Sequence, residues 1–295
     1  ATEAEGQRSA AADRLAAAEA ALSMSEKASR IAQADLAEAR EIRGRSEEAM
    51  ALAAVAYAKA SRRRQVMAVT TSIGPGALNL VPAAGVAMAN RLPVLLLPGD
   101  TFQSREPDPV LQQVEHFTSP STTVNDALKA VSRFWDRLTT PAQVLSSLPQ
   151  AIGVLLDPAD CGPVTIALPQ DVQAEAFDFP ESFFTPIVHR IRRPRPSRDE
   201  VAAAAAALRS ARQPIIVAGG GVHYSLAEAE LAAFAHRFGI PVMETVAGKS
   251  SLTADDEAFA GPIGVFAETD GQEIAWQPDV VLAVGTRLQD FTTES

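Results

Sequence analysis

The chain has 295 residues, 47% hydrophobic and 21% charged, enough apolar material for two cores of roughly 150 residues each and a balance that excludes wholesale disorder or a collagen-like chain. Its net charge of -10 opposes broad binding to nucleic acid or anionic membrane, whose fields repel it. A single cysteine, Cys161, excludes an intrachain disulfide and a cysteine-rich zinc site and fits a reducing cytoplasm.

The N-terminus has no basic region followed by an apolar run and a small-residue cleavage site, so no secretory signal is expected. The most apolar stretch, around Val94 to Pro98, is far shorter than the ~20 residues that span a bilayer. A cytoplasmic location is the resulting expectation.

Residues 1–43 are rich in Ala, Glu, Arg and Ser and contain no Pro, which predicts a helical arm. Its large apolar residues, among them Leu15, Leu22, Ile31 and Leu36, keep no sustained heptad, so a long coiled coil is not expected. A second helix is predicted over 46–60, with Ser46 as its N-cap and Met50, Ala53, Ala54, Tyr57 and Ala58 at helical spacing. It ends at Arg62, Arg63 and Arg64, read as a solvated C-terminus favoured by the helix dipole rather than as an anion site. Gln65 to Thr71 reads as a strand, and the chain breaks at Gly74-Pro75-Gly76 before an Ala-rich helix to about Asn90.

Pro93 to Leu97 is a second strand, ended by Pro98-Gly99-Asp100. Asn125 to Leu138 and Pro141 to Leu156 read as helical or mixed connections, and Pro163 to Leu168 as a further strand. The stretch from Phe179 to Arg198, rich in Pro, Phe and Arg, reads as an interdomain linker. Beyond it come a helix over 200–210, a strand over 214–218 ending in Gly219-Gly220-Gly221, a helix over 226–238, and strands over 241–244 and 280–284. This alternation predicts an α/β protein with two doubly wound, mostly parallel-sheet domains. The boundaries are a helical arm at 1–43, a first domain at 44–178, a linker at 179–198 and a second domain at 199–295.

Read residue by residue, Glu47 is a first-turn acid of the kind a helix dipole favours, and Gly74-Pro75-Gly76 is a strand-to-helix turn that uses glycine's backbone freedom. The glycine cluster at 219–221 is weak evidence for a dinucleotide loop. The histidines His116, His189, His223 and His236 have no metal-ligand spacing, and no residue is assigned to a metal.

In order and spacing, Glu47 at its helix start, the turn from Gly74 to Asn79, the strand Val94 to Leu97 and the run Gly162 to Val172 resemble the thiamine-diphosphate enzyme superfamily. Over Asn90 to Asp100, Pro107 to Phe117, Asp157 to Pro163 and Gln170 to Glu175 the chain is similar to its decyclizing trihydroxycyclohexanedione acylhydrolases of myo-inositol catabolism. The likeness covers about residues 47–295.

The resemblance implies that 44–178 is the pyrimidine-binding domain and 199–295 an incomplete central domain. It implies a catalytic role for Glu47, which would hydrogen-bond the cofactor's aminopyrimidine ring and promote its activation. That role needs a carboxyl able to share a proton, a state that burial against the cofactor favours by desolvating the charged form. Gly74, Pro75, Gly76 and Asn79 would shape the pyrimidine pocket. Gln112 matches a glutamine that faces the active site, with a surface amide as the equally open alternative. Asp157, Asp160 and Cys161 are expected in turns and core, and the 219–221 glycines in a scaffold.

The cofactors implied are thiamine diphosphate and magnesium, the latter and the diphosphate held by a third domain with a Gly-Asp-Gly start and a later Asn. Those motifs do not occur in the 295 residues, so the chain is expected to be a fragment that is inactive alone. The implied reaction is hydrolytic cleavage of a carbon-carbon bond in trihydroxycyclohexane-1,2-dione to give 5-deoxy-glucuronate. An acetolactate-synthase-like carboligase and a noncatalytic interaction module are the alternatives. The partners expected are a small cyclic diketone and either a second copy or a complementing full-length subunit, with no nucleic acid and no membrane.

Overall fold

In the computed structural model, which describes residues 46–106, 114, 118–267 and 277–294, the chain divides after Val188 into two units, with 62–64 grouped with the second. The predicted arm at 1–43, Gln112 and His116 lie outside the described residues.

The first unit begins with helix α1 (46–60). Its buried stripe is Ala51, Ala54, Val55 and Ala58, the i, i+3, i+4, i+7 pattern of one helix face. Met50 and Tyr57, which share the predicted helical spacing with Ala54 and Ala58, are 38% and 41% exposed. Alanine recurs on every side of this helix, so spacing alone does not fix which side is buried. Ser46, expected as the cap, is already helical.

Strands β1 (Ala68–Thr71), β2 (Leu95–Asp100), β3 (Phe134–Arg137) and β4 (Val164–Pro169) form a sheet in the order β1-β2-β4-β3, every pair parallel. Helices α2 (Pro75–Leu78) and α3 (Leu80–Asn90) connect β1 to β2, and α4 (Val144–Leu155) connects β3 to β4. The inner strand β4 is buried at Val164, Thr165, Ile166 and Ala167 in succession, as expected where helices cover both faces.

Two expectations change here. Strand β2 does not stop at Pro98 but runs on to Asp100, because the β4 pairing skips Leu97 and Pro98 and resumes at Gly99, so no bond on that side needs a proline N–H. The segment read as helical or mixed over 125–138 is a 3-10 turn (Val124–Val131) followed by the edge strand β3.

The second unit opens with α5 (Arg198–Ser210). Ser197 and Glu200 form a reciprocal capping box, with the Glu200 N–H on Ser197 Oγ at 3.2 Å and the Ser197 N–H on Glu200 Oε2 at 2.7 Å, which starts the helix there. Then follow β5 (Pro214–Ala218), α6 (Gly220–Ser225), α7 (Glu228–Phe238), β6 (Val242–Glu244), β7 (Phe259–Pro262), β8 (Val280–Val284) and α8 (Asp290–Thr293). The sheet order is β7-β6-β5-β8, again all parallel, over a core that includes Ile216, Val222, Leu231, Ala235 and Val242. The fold is therefore the two-sheet α/β architecture that the alternation of elements implies.

The 219–221 glycines have a packing reason. The Gly221 N–H donates to Gly285 O at 2.8 Å, and a Cβ on Gly221 would lie 2.5 Å from Gly285 Cα. The backbone after β5 and the backbone after β8 approach too closely for side chains. Among the described residues no helix is long and apolar enough to cross a membrane.

Candidate active site

The site is built where β1 ends. After Thr71 the chain passes Ser72 and Ile73 to Gly74, whose φ of 66° is left-handed backbone that glycine adopts without Cβ strain. Pro75 then takes the first position of α2, where its fixed φ suits a helix start and its missing N–H costs nothing. Gly74 and Pro75 thus set the direction of the turn.

That direction delivers Ser72, Gly76 and Asn79 to the Glu47 carboxyl, which comes from α1 and is 8% exposed. Ser72 Oγ donates to Glu47 Oε1 and Asn79 Nδ2 to Glu47 Oε2, each at 3.3 Å. A Cβ on Gly76 would stand 2.7 and 2.8 Å from the two carboxyl oxygens and would also collide with Ser72 Oγ. A buried carboxyl is thus oriented by two neutral donors and has a glycine against it. Glu47, Gly76 and Asn79 meet directly, whereas Gly74 and Pro75 act through the turn. The side chain of Gln112 lies outside the described residues.

Beside this carboxyl a cavity of about 340 Å³ opens at the carboxyl ends of β1, β2 and β4, lined in part by Thr70, Ser72, Gly99 and Gln170. Strand carboxyl ends are where parallel α/β sheets bind ligands. Ser72 belongs to both the cavity and the carboxyl site. Sequence reading missed it, although its place between β1 and the Gly-Pro-Gly turn marks it as a strand-end residue.

An ionic network ties the ends of β2 and β3 to the 3-10 turn at 124–131. Asp100, 1% exposed at the end of β2, accepts from Arg137 Nε at 2.7 Å. Arg137 Nη2 also donates to Thr123 Oγ1 at 2.8 Å and Asp126 Oδ1 at 3.3 Å. Asn125 Nδ2 donates to Gly99 O at 2.9 Å. Burial pushes the Asp126 carboxyl up, but hydrogen bonding from Lys129 and the Thr123 N–H, with the Arg137 charge, outweighs it and holds the group below its ordinary range.

Asp171, just past β4, accepts from the N–H groups of Gln103 at 2.9 Å and Ser104 at 2.8 Å, fastening the chain after β2 to the chain after β4. Burial raises its pKa, but the bonds from Ser104, Gln103 and Val172 outweigh it and hold the group below the ordinary value.

Asp157 accepts from the N–H groups of Ala159 and Asp160, a turn, and the buried Cys161 thiol donates to Leu155 O at 3.3 Å. His223 and His236 each face one carboxylate, Glu228 and Asp256. Among the described residues no group of three or more His, Cys, Asp or Glu is placed to hold a metal ion.

Residues 20–121 match the thiamine pyrophosphate enzyme N-terminal TPP binding domain, and residues 201–295 match the thiamine pyrophosphate enzyme central domain. The chain is 52% identical to a 3D-(3,5/4)-trihydroxycyclohexane-1,2-dione hydrolase of Geobacillus thermodenitrificans over 85% of its length and 39% of the relative's. It is 50% identical to the proteins of that name from Bacillus subtilis, covering 85% of this chain and 40% of the relative, and from Clostridium tetani, covering 85% and 39%. The chain spans about 40% of the length of these curated relatives. With the buried carboxyl and its Gly-Pro-Gly turn inside the first match and the second parallel sheet inside the other, the chain is built from the N-terminal and central domains of the thiamine pyrophosphate enzymes.

Proposed function

We propose that this chain supplies the pyrimidine-binding half of a thiamine-diphosphate site in a hydrolase that opens trihydroxycyclohexane-1,2-dione to 5-deoxy-glucuronate. The observation that carries the reading is the meeting of Glu47 with Ser72, Gly76 and Asn79. The names of the relatives supply the substrate.

The residues present fit the cofactor's pyrimidine end. A ring nitrogen needs a buried, oriented carboxyl to share a proton with, and Gly76 leaves the room in which that carboxyl sits. When bound, thiamine diphosphate supplies the carbanion chemistry by which the carbon-carbon bond is broken. Glu47 would hold or release the proton at the ring nitrogen. Ser72 and Asn79 donate to its two oxygens and would keep them oriented toward that nitrogen. Gly74 and Pro75 fix the turn from which Gly76 and Asn79 act, and Gln112 is assigned to the substrate side. Overall, the bond between the two carbonyl carbons breaks, one carbon becoming the carboxylic acid and the other an aldehyde. Water supplies the added hydroxyl and hydrogen.

Magnesium belongs to this reading as the diphosphate's counter-ion, with no ligand assigned in this sequence. So do a cytoplasmic setting, a role in inositol catabolism and a site shared with a second subunit, which is the arrangement the family resemblance implies.

The test uses the full-length gene product that contains this chain. Ring opening of the dione, and not condensation of pyruvate, is the expected activity. Glu47→Gln should lower it about 10²- to 10⁴-fold, the span of general acid-base contributions, with circular dichroism unchanged. Pyruvate condensation without ring opening would replace the reading with a carboligase, and a Glu47→Gln variant of near-normal activity would remove Glu47 from the mechanism.

A further inference from the structure

The cavity next to Glu47 has a chemical character of its own. Its lining is mainly polar, with Thr70, Ser72, Gln170 and Gln173 bringing hydroxyl and amide groups and Leu97 and Leu168 adding apolar surface, and among the described residues that line it none is charged. The hydroxyls have donated inward, Thr70 Oγ1 to Leu97 O at 3.0 Å and Ser72 Oγ to Glu47 at 3.3 Å, and each keeps lone pairs for an incoming donor. Gln173 Nε2 is engaged with Leu168 O at 2.7 Å, which leaves its carbonyl oxygen as an acceptor. The Gln170 side chain is exposed at the mouth and offers both donor and acceptor.

Neutral acceptors and one adaptable amide, with two leucines beside them, suit a ring with C–H faces and peripheral hydroxyls. They suit a free carboxylate poorly, because an anion taken out of water needs a cation or several donors. The Arg137 guanidinium, at the end of β3, is committed to Asp100 and Asp126.

We propose that this cavity is the subsite for the hydroxylated part of the substrate, with Thr70, Gln170 and Gln173 reading its hydroxyl groups. It selects uncharged polyhydroxylated rings over 2-oxo acids. Ser72 joins the two halves of the site, since the same hydroxyl borders the cavity and orients Glu47. A ring seated there lies beside the carboxyl that serves the cofactor. The proposal rests on the ring-opening reading above and deepens it by naming the groups that choose the substrate.

The test is made on the full-length gene product carrying Gln170→Leu or Thr70→Val. The first replaces a side chain exposed at the mouth and the second is isosteric. For each, KM for the dione should rise about 10-fold, the equivalent of one lost hydrogen bond, with kcat within about threefold, as expected when binding common to ground and transition state is removed. The affinity for thiamine diphosphate should not change. An unchanged KM in both variants, or a loss of cofactor affinity that parallels the rise in KM, overturns the subsite. Calorimetric titration with myo-inositol, a non-reacting hydroxylated ring, separates this failure from that of the function. If the wild type does not open the dione, the function reading falls. Inositol binding that is present in the wild type and lost in Gln170→Leu still upholds the subsite. Absence of inositol binding in the wild type, or equal binding by wild type and variant, overturns it.

Discussion

Two glycines two residues apart do different work. Gly74 is needed for its backbone, since φ is 66° and ψ -128° there, a sparsely populated conformation that costs an L side chain on the order of 1–3 kcal/mol. Gly76 lies inside α2 without positive φ, and what it supplies is room for the Glu47 carboxyl. Gly76→Ala therefore separates stability from function. Alanine gains about 1 kcal/mol of helix propensity, which roughly offsets the 1–3 kcal/mol of overpacking. The melting temperature of the full-length product should move by only a few degrees. The carboxyl, pushed off the position set by Ser72 and Asn79, should lose its function, with ring opening reduced at least 10-fold. Steady-state kinetics beside a thermal melt checks this. A large fall in melting temperature with activity per folded molecule intact would mean that the contact is packing alone.

At the scale of elements, much of the site was legible because it follows from local chemistry. A strand, a Gly-Pro-Gly break and an Ala-rich helix can be read in order, and Glu47 sits at a helix start. What could not be read was set by distant partners. Strand β3, with Phe134, Trp135, Asp136 and Arg137, has no apolar alternation, and its charged residues are accommodated by Asp100 and by the Ser147 hydroxyl on Asp136. Strand β7 contains Gly261 at φ 93° and Pro262, both strand breakers. Each is an edge strand, where one neighbour suffices and such residues are tolerated. Asp171 is another such case, since its partners lie 67 and 68 residues away.

The Asp171 clip also carries a pH dependence. Its folded-state pKa lies below the ordinary carboxylate value of about 3.9, so its stabilisation is fully present above that value and is lost as pH falls through the lower folded value. Asp171→Asn keeps one acceptor and loses the other. It should cost about 1–2 kcal/mol at neutral pH, the range for a partly exposed charge-assisted bond. The gap between wild type and variant should close as the pH drops below about 3.9. Denaturant titrations across that range measure it, and a gap that persists unchanged in acid would assign the cost to packing rather than to charge.

Across the whole molecule, charge and site composition point the same way. The chain carries a net charge of -10, and the Ser72 hydroxyl and Asn79 amide that donate to Glu47 are neutral groups of the kind that suit a pyrimidine. A long-range negative field opposes the approach of an anion, so the diphosphate group should add nothing to binding by these 295 residues alone. Thiamine, a cation, and thiamine diphosphate with magnesium should then bind the isolated chain with equal, weak affinity or in favour of thiamine. The full-length product should prefer the diphosphate strongly. Calorimetric titration of both proteins with both compounds decides between these patterns. Tight, magnesium-dependent preference for thiamine diphosphate by the isolated chain would place a diphosphate site within this sequence and overturn the assignment of only the pyrimidine half to it.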